Sequence, residues 1–137
     1  VFLVQKEVAK RAAAKHETGD KHSLLSLATQ VYGEVSYVKT VSRGHFTPPP
    51  QVDSGIIAVR NISRQHFTHL DEAFFFNILH LSFAQKRKQL LGNLATTYDR
   101  TQLTHLFSTL RLPSDVRAED VSLAQWLQLA MKLAIHN

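Results

Sequence analysis

A chain of 137 residues with 44% hydrophobic and 20% charged residues has the size and mix of one globular domain, or of two small lobes sharing a core, and not of a disordered segment. It has no cysteine, which excludes a disulfide framework, a thiolate nucleophile and a cysteine-based zinc site. Lys and Arg number 16 against 11 Asp and Glu; the formal charge of +5 favours an anionic partner such as nucleic acid, and no apolar run approaches the roughly 18 residues of a membrane span.

The chain opens on Val-Phe-Leu-Val, an apolar run that reads as the last part of a buried strand needing neighbours on both sides. It is too short for a signal sequence and Lys6 follows it, so a cytoplasmic protein is expected. There is no Met at position 1, and the chain is expected to be a piece of a longer protein. The strand's unpaired side should then be covered by another molecule or poorly ordered. Residues 5–15 (QKEVAKRAAAK) are strong helix formers without Gly or Pro and predict a helix. Residues 16–23 form a polar loop with Gly19 as a stop signal. Ser23 is placed to cap a helix carrying Leu24, Leu25, Leu27, Ala28 and Val31. Residues 35–42 alternate as a strand, and residues 56–59 form a second. Between them runs HFTPPPQVDSG, excluded from a central strand because three successive prolines donate no ladder hydrogen bond.

Residues 61–70 read as a linker, after which the pattern is wholly helical. Asp71 can cap a helix carrying Phe74, Phe75, Ile78, Leu79 and Leu81. A basic run follows, then Leu90, Leu91 and Leu94. A helix from about Asp99 carries Leu103, Leu106, Phe107 and Leu110, and Pro113 breaks it. Ser122 caps the last helix, with Leu123, Trp126, Leu127, Ala130 and Ala134 predicted on its buried face. The chain thus divides near residue 65 into an α/β half and a helical half.

Three segments could carry function. In Phe46-Thr47-Pro48-Pro49-Pro50 the prolines fix φ, so Phe46 is held at the end of a stiff arm, suited to stacking on an extruded base. The same residues also fit a stiffened connector with Phe46 packed in the core. Lys86, Arg87 and Lys88 would form a compact positive knob at a turn or helix start, neutralising phosphates without reading sequence, or else a solvated basic face. Lys6, Lys10 and Arg11 lie close by helical spacing and could track a phosphate backbone, or simply face solvent. His66 and His69 are the closest histidine pair, but no further ligand completes a metal set, and no phosphate-binding glycine loop or nucleophile elbow is present.

In the same order, residues 2–14 (FLVQKEVAKRAAA), 25–32 (LSLATQVY), 46–54 (FTPPPQVDS), 83–93 (FAQKRKQLLGN) and 117–130 (RAEDVSLAQWLQLA) resemble the second half of the small-subunit rRNA adenine dimethyltransferases, the KsgA family. The related rRNA methylases of macrolide resistance share the proline and QKE phrases but match the other segments less well. The resemblance implies an S-adenosylmethionine-dependent enzyme that dimethylates two adjacent adenines near the 3′ end of small-subunit rRNA. It implies the C-terminal strands and helices of a Rossmann-like class I methyltransferase domain in residues 1–62. A small all-helical domain in residues 63–137 would dock the pre-30S subunit. Phe46 matches the family's adenine-stacking aromatic, and Lys86, Arg87 and Lys88 match a basic segment expected to face rRNA.

The family's glycine-rich cofactor loop, acidic ribose-binding residue and Asn-Leu-Pro-Tyr phrase have no counterpart in this sequence, so the chain by itself is expected neither to bind the cofactor nor to transfer methyl. His22-Ser23-Leu24 stands where the family commonly has Tyr-Gly-Arg before its Leu-Ser, and Gln51 where it usually has Lys. Each departure removes a positive charge. A non-catalytic RNA-binding or ribosome-assembly module is the alternative.

Overall fold

β-Branched and aromatic residues make the sheet, and capped amphipathic segments make the helices around it. The computed structural model describes residues 1–85 and 87–135; Lys86 of the basic run and His136 lie outside the described residues. The described chain runs β1 (Phe2–Gln5), α1 (Lys6–Ala12), α2 (Leu24–Gln30), β2 (Glu34–Val41), β3 (Ser54–Arg60), α3 (Glu72–Ser82), α4 (Leu90–Leu94), α5 (Arg100–Thr109) and α6 (Leu123–Ile135). It is a mixed α/β chain with one small sheet. None of its described helices is long and apolar enough to cross a membrane.

The sheet has the order β1-β3-β2. Both pairings are antiparallel, with Phe2 opposite Ile57 on one side of β3 and Val35 opposite Val59 on the other. A register shift between Tyr37 and Lys39 leaves Val38 outside the ladder and exposed. β1 lies at the edge of this sheet with one side unpaired, as the sequence predicts for this chain: among the described residues β3 is its one partner, and Phe2 and Leu3 remain 54% and 52% exposed.

α1 packs on the sheet through Ala9 and Ala12, which meet Val35 and Ile57 in a small apolar cluster. Gly55 makes this possible: a Cβ there would stand 2.6 Å from the Ala9 Cβ and 3.0 Å from the Tyr37 ring. The predicted helix over 5–15 stops at Ala12 instead. Gln30 on α2 donates its side-chain amide to the Ala12 and Ala14 carbonyls at 3.0 and 2.7 Å, so a tertiary contact ends what local propensity would extend.

The larger core joins α2 to the helices that follow the sheet. Leu27 and Val31 pack with Phe75, Leu79, Leu90, Leu103, Phe107 and Trp126. Ser23 caps α2 in a reciprocal box with Ser26. Asp71 and Ser122 accept the backbone N–H three residues on, at 2.9 and 3.2 Å, as their positions predicted, and Asp99 does the same at 3.0 Å. The segment read as a linker is anchored: Leu70 is buried, and the Phe67 ring sits 5.5 Å from Tyr32 and 5.7 Å from Phe75. On α6 the buried residues are Trp126, Leu129, Ala130 and Leu133, with Ala134 exposed, so the buried face is turned from the predicted one. Trp126 is common to both faces, and its ring stacks on Phe83 at 5.8 Å.

Residues 16–22 are tied to the turn at Ala118–Asp120. The His22 N–H donates to the Glu119 carbonyl at 2.8 Å, and Lys21 Nζ reaches Asp120 Oδ1 at 2.7 Å. The His22 ring is buried, stacks on His16 and contacts Ser26 Oγ at 2.9 Å through Nδ1. Burial, helped by the neighbouring His16, lowers its pKa below the ordinary 6.5.

Two outcomes follow. Gly55→Ala should destabilise the chain by about 1–3 kcal/mol through overpacking against Ala9, read from urea unfolding; an unchanged midpoint would show that α1 does not depend on this close approach. For His22, the unfolded chain takes up a proton near pH 6.5 while the folded chain resists it. Stability should therefore fall as the pH drops from about 6.5 towards the lowered folded pKa, and be flat above it with respect to this group. His22→Gln should remove that part of the slope.

Candidate nucleic-acid interface

β2 and β3 close at the pair Val41–Ser54, which leaves a loop over 42–53. It begins with a tight turn at Arg43–His45, where the Phe46 N–H returns to the Arg43 carbonyl at 3.2 Å. Pro48, Pro49 and Pro50 follow, with the Thr47–Pro48 peptide bond cis. Phe46 is half-buried, while residues 42–45 and 47–52 are all exposed. Its ring belongs to neither apolar cluster. Such a ring keeps one face for a partner while its backbone is held.

The base of the loop lies against the start of α1. The Lys6 N–H donates to the Asp53 carbonyl at 2.9 Å. An open cleft of about 560 Å³ is lined there by Lys6, Glu7, Lys10, Arg43, Gln51 and Asp53. Lys6 and Lys10 thus reach the foot of the Phe46 loop, and Arg43 joins them. Arg11, the third cation picked on this helix, lines a separate groove of about 490 Å³ with Lys21, Leu25, Phe83, Lys88 and Glu119. The expected single track along α1 is therefore divided, one side facing the sheet loop and the other facing the helices.

Arg87 and Lys88 lie in the turn between α3 and α4 and are exposed. Asn93 fixes this turn from within, donating its amide to the Ser82 and Gln85 carbonyls at 2.8 and 3.2 Å. Among the described residues the ion pairs are those of Lys21 with Glu119 and Asp120. Asp120 raises the Lys21 pKa above its ordinary 10.5 by hydrogen bonding and by charge, so Lys21 stays a cation but a committed one. Lys6, Lys10, Arg11, Arg87 and Lys88 face solvent or the two clefts without a carboxylate partner among the described residues.

Sequence reading passed over Arg43 and Lys21. The first carried a local signal, a cation and an acid (Asp53) flanking the proline loop ten residues apart. Lys21 carried none, because its partner Asp120 lies 99 residues away. Among the described residues, no group of three His, Asp or Glu side chains could hold a metal ion.

S-adenosylmethionine needs a glycine-rich turn after a parallel strand and an acid for its ribose. The described residues do not fit it. Both strand pairings are antiparallel, and Gly33 and Gly55 serve close packing against Arg60 and Ala9 rather than a cradle for the methionine or ribose part of that cofactor.

Comparison with known proteins adds the family. The family model for ribosomal RNA adenine dimethylase matches residues 1–134. The chain is 41% identical over 133 residues to ribosomal RNA small subunit methyltransferase A of Koribacter versatilis, covering 97% of this chain and 46% of that protein. The protein of the same name from Synechocystis is 40% identical over 129 residues, covering 94% and 45%. The chain spans about half the length of the curated relatives it matches. In fold, it is similar to a dimethyladenosine transferase from Plasmodium falciparum (TM-score 0.74, 23% identity, 97% of this chain and 56% of that one). It is also similar to the 23S rRNA methyltransferase ErmE (TM-score 0.64, 23% identity, 96% and 53%). With the family model matching nearly end to end and relatives at about 40% identity, the chain belongs to the ribosomal RNA adenine dimethylase family.

Proposed function

We propose that this chain is the base-stacking and rRNA-docking part of an S-adenosylmethionine-dependent rRNA adenine dimethyltransferase. Its target is a pair of adjacent adenines near the 3′ end of small-subunit rRNA, presented by a pre-30S particle. Residues 1–62 complete the methyltransferase domain, and residues 63–137 dock the ribosomal particle. The methyl donor is held by residues outside this chain.

One observation carries the reading: a half-buried phenylalanine on a proline-stiffened loop, with Lys6 and Lys10 gathered in a cleft at its foot. An extruded adenine must be held flat so that its exocyclic amine can be aimed, and positioning supplies most of the rate in such a transfer. The Phe46 ring closes one face of the base. The cations hold the flanking phosphates, which fixes the strand without reading its sequence. Arg87 and Lys88 add a second positive surface on the helical part, with Lys88 in the groove that Arg11 lines.

Two measurements test it. In the full-length protein, Phe46→Ala should lower methyl transfer to small-subunit rRNA roughly 5- to 100-fold, the worth of one base–aromatic stack, with an unchanged circular-dichroism spectrum; undiminished turnover would end the stacking role. Replacing both Arg87 and Lys88 with Ala should flatten the dependence of log K on log salt by about 1.4 to 1.8, two phosphate contacts' worth. An equal slope in wild type and variant would remove this turn from the RNA path.

A further inference from the structure

The geometry points to Arg43 and Asp53 as a positioning pair that sets the angle of the Phe46 arm. This rests on the reading of Phe46 as a base-stacking residue and names what aims it. The loop over 42–53 is almost wholly exposed, so no hydrophobic burial holds its shape. Ordering a loop of that length is entropically costly. The three prolines remove part of the cost, but they stiffen the leg after Phe46 without fixing its direction relative to the sheet.

Direction comes from hydrogen bonds across the loop. The Arg43 N–H donates to Asp53 Oδ1 at 3.0 Å, and Arg43 Nη1 donates to the Gln51 carbonyl at 3.1 Å. One residue therefore grips both the last position of the loop and the leg leaving the prolines. Phe46 hangs directly on this clamp, since its own N–H is bonded to the Arg43 carbonyl. Asp53 is the second half of the device. Its carboxylate takes the Arg43 N–H while its carbonyl takes the Lys6 N–H at 2.9 Å, so the clamp is referred to the start of α1. Asp53 is half-buried, and its bond to Arg43 has an ionised acceptor, which makes it stronger than a neutral pair. Neither side chain needs to touch the base; both act through the backbone that carries Phe46.

The test uses the 137-residue chain and a single-stranded RNA oligonucleotide with 2-aminopurine at one adenine position. Stacking on Phe46 quenches its fluorescence, while fluorescence anisotropy of an end-labelled copy reports binding. The variants are Phe46→Ala, Arg43→Ala, Asp53→Ala and Asp53→Asn. Phe46→Ala should abolish the quench. Asp53→Ala removes the acceptor of the Arg43 N–H and should remove at least about half of the quench; Arg43→Ala keeps that backbone N–H, loses only the Nη1 bond to Gln51 and should remove a smaller part; both should change the Kd less than about threefold and leave the Tm in place, because the ring is present but misaimed. Asp53→Asn keeps an oxygen acceptor and should restore most of the quench, which a general loss of stability would not do. If Asp53→Ala fails to fold, Asp53→Ser, whose shorter side chain withdraws the acceptor from the Arg43 N–H, takes its place. Full quench in both the Asp53 variant and Arg43→Ala beside a lost quench in Phe46→Ala would overturn the pair and keep the stacking reading. Full quench in Phe46→Ala would overturn the stacking reading itself.

Discussion

The contact on which the site depends is the seating of α1 on β3. Ala9 rests where Gly55 has no side chain, and any Cβ at that position would collide with it. That closeness brings the first turn of α1 down to the end of the sheet. There the Lys6 N–H meets the Asp53 carbonyl, the point at which the proline loop re-enters β3. A helix start and a hairpin base, separated in sequence by nearly fifty residues, are thereby made one corner. The cations of α1, the guanidinium of Arg43 and the aromatic arm share it because the backbone is packed at glycine–alanine distance.

A second coupling runs through α2. Its apolar side enters the core built by α3 to α6, while Gln30 at its end holds the last turn of α1. The segment before it is fastened to the turn at Ala118–Asp120 by His22, His16 and Lys21. The sheet that carries Phe46 and the helices that carry Arg87 and Lys88 are thus linked by one short helix and one polar segment. The two basic clefts lie on either side of α1, one towards the loop and one towards the helices.

Local signals were the legible part. Each helix cap named from sequence, at Ser23, Asp71 and Ser122, is a side chain reaching an N–H three residues on. The strands on either side of the proline loop followed from alternation and from what proline cannot donate. Distant partners were the illegible part. The end of α1, the anchoring of Phe67 and the separation of Arg11 from Lys6 and Lys10 each depend on a residue far along the chain. The family match has the same logic, because its phrases are short runs read residue by residue.

The amino-acid sequence alone determined which residues carry charge, where the backbone loses a donor, where helices begin and which ring stands beside the prolines, all consequences of covalent structure and short-range hydrogen bonding. Tertiary structure alone decided that Arg43 and Asp53 brace the arm and that the cations of one helix face two different clefts. Those features are set by close packing and by long-range register, where the identity of a neighbour counts for more than the propensity of the residue.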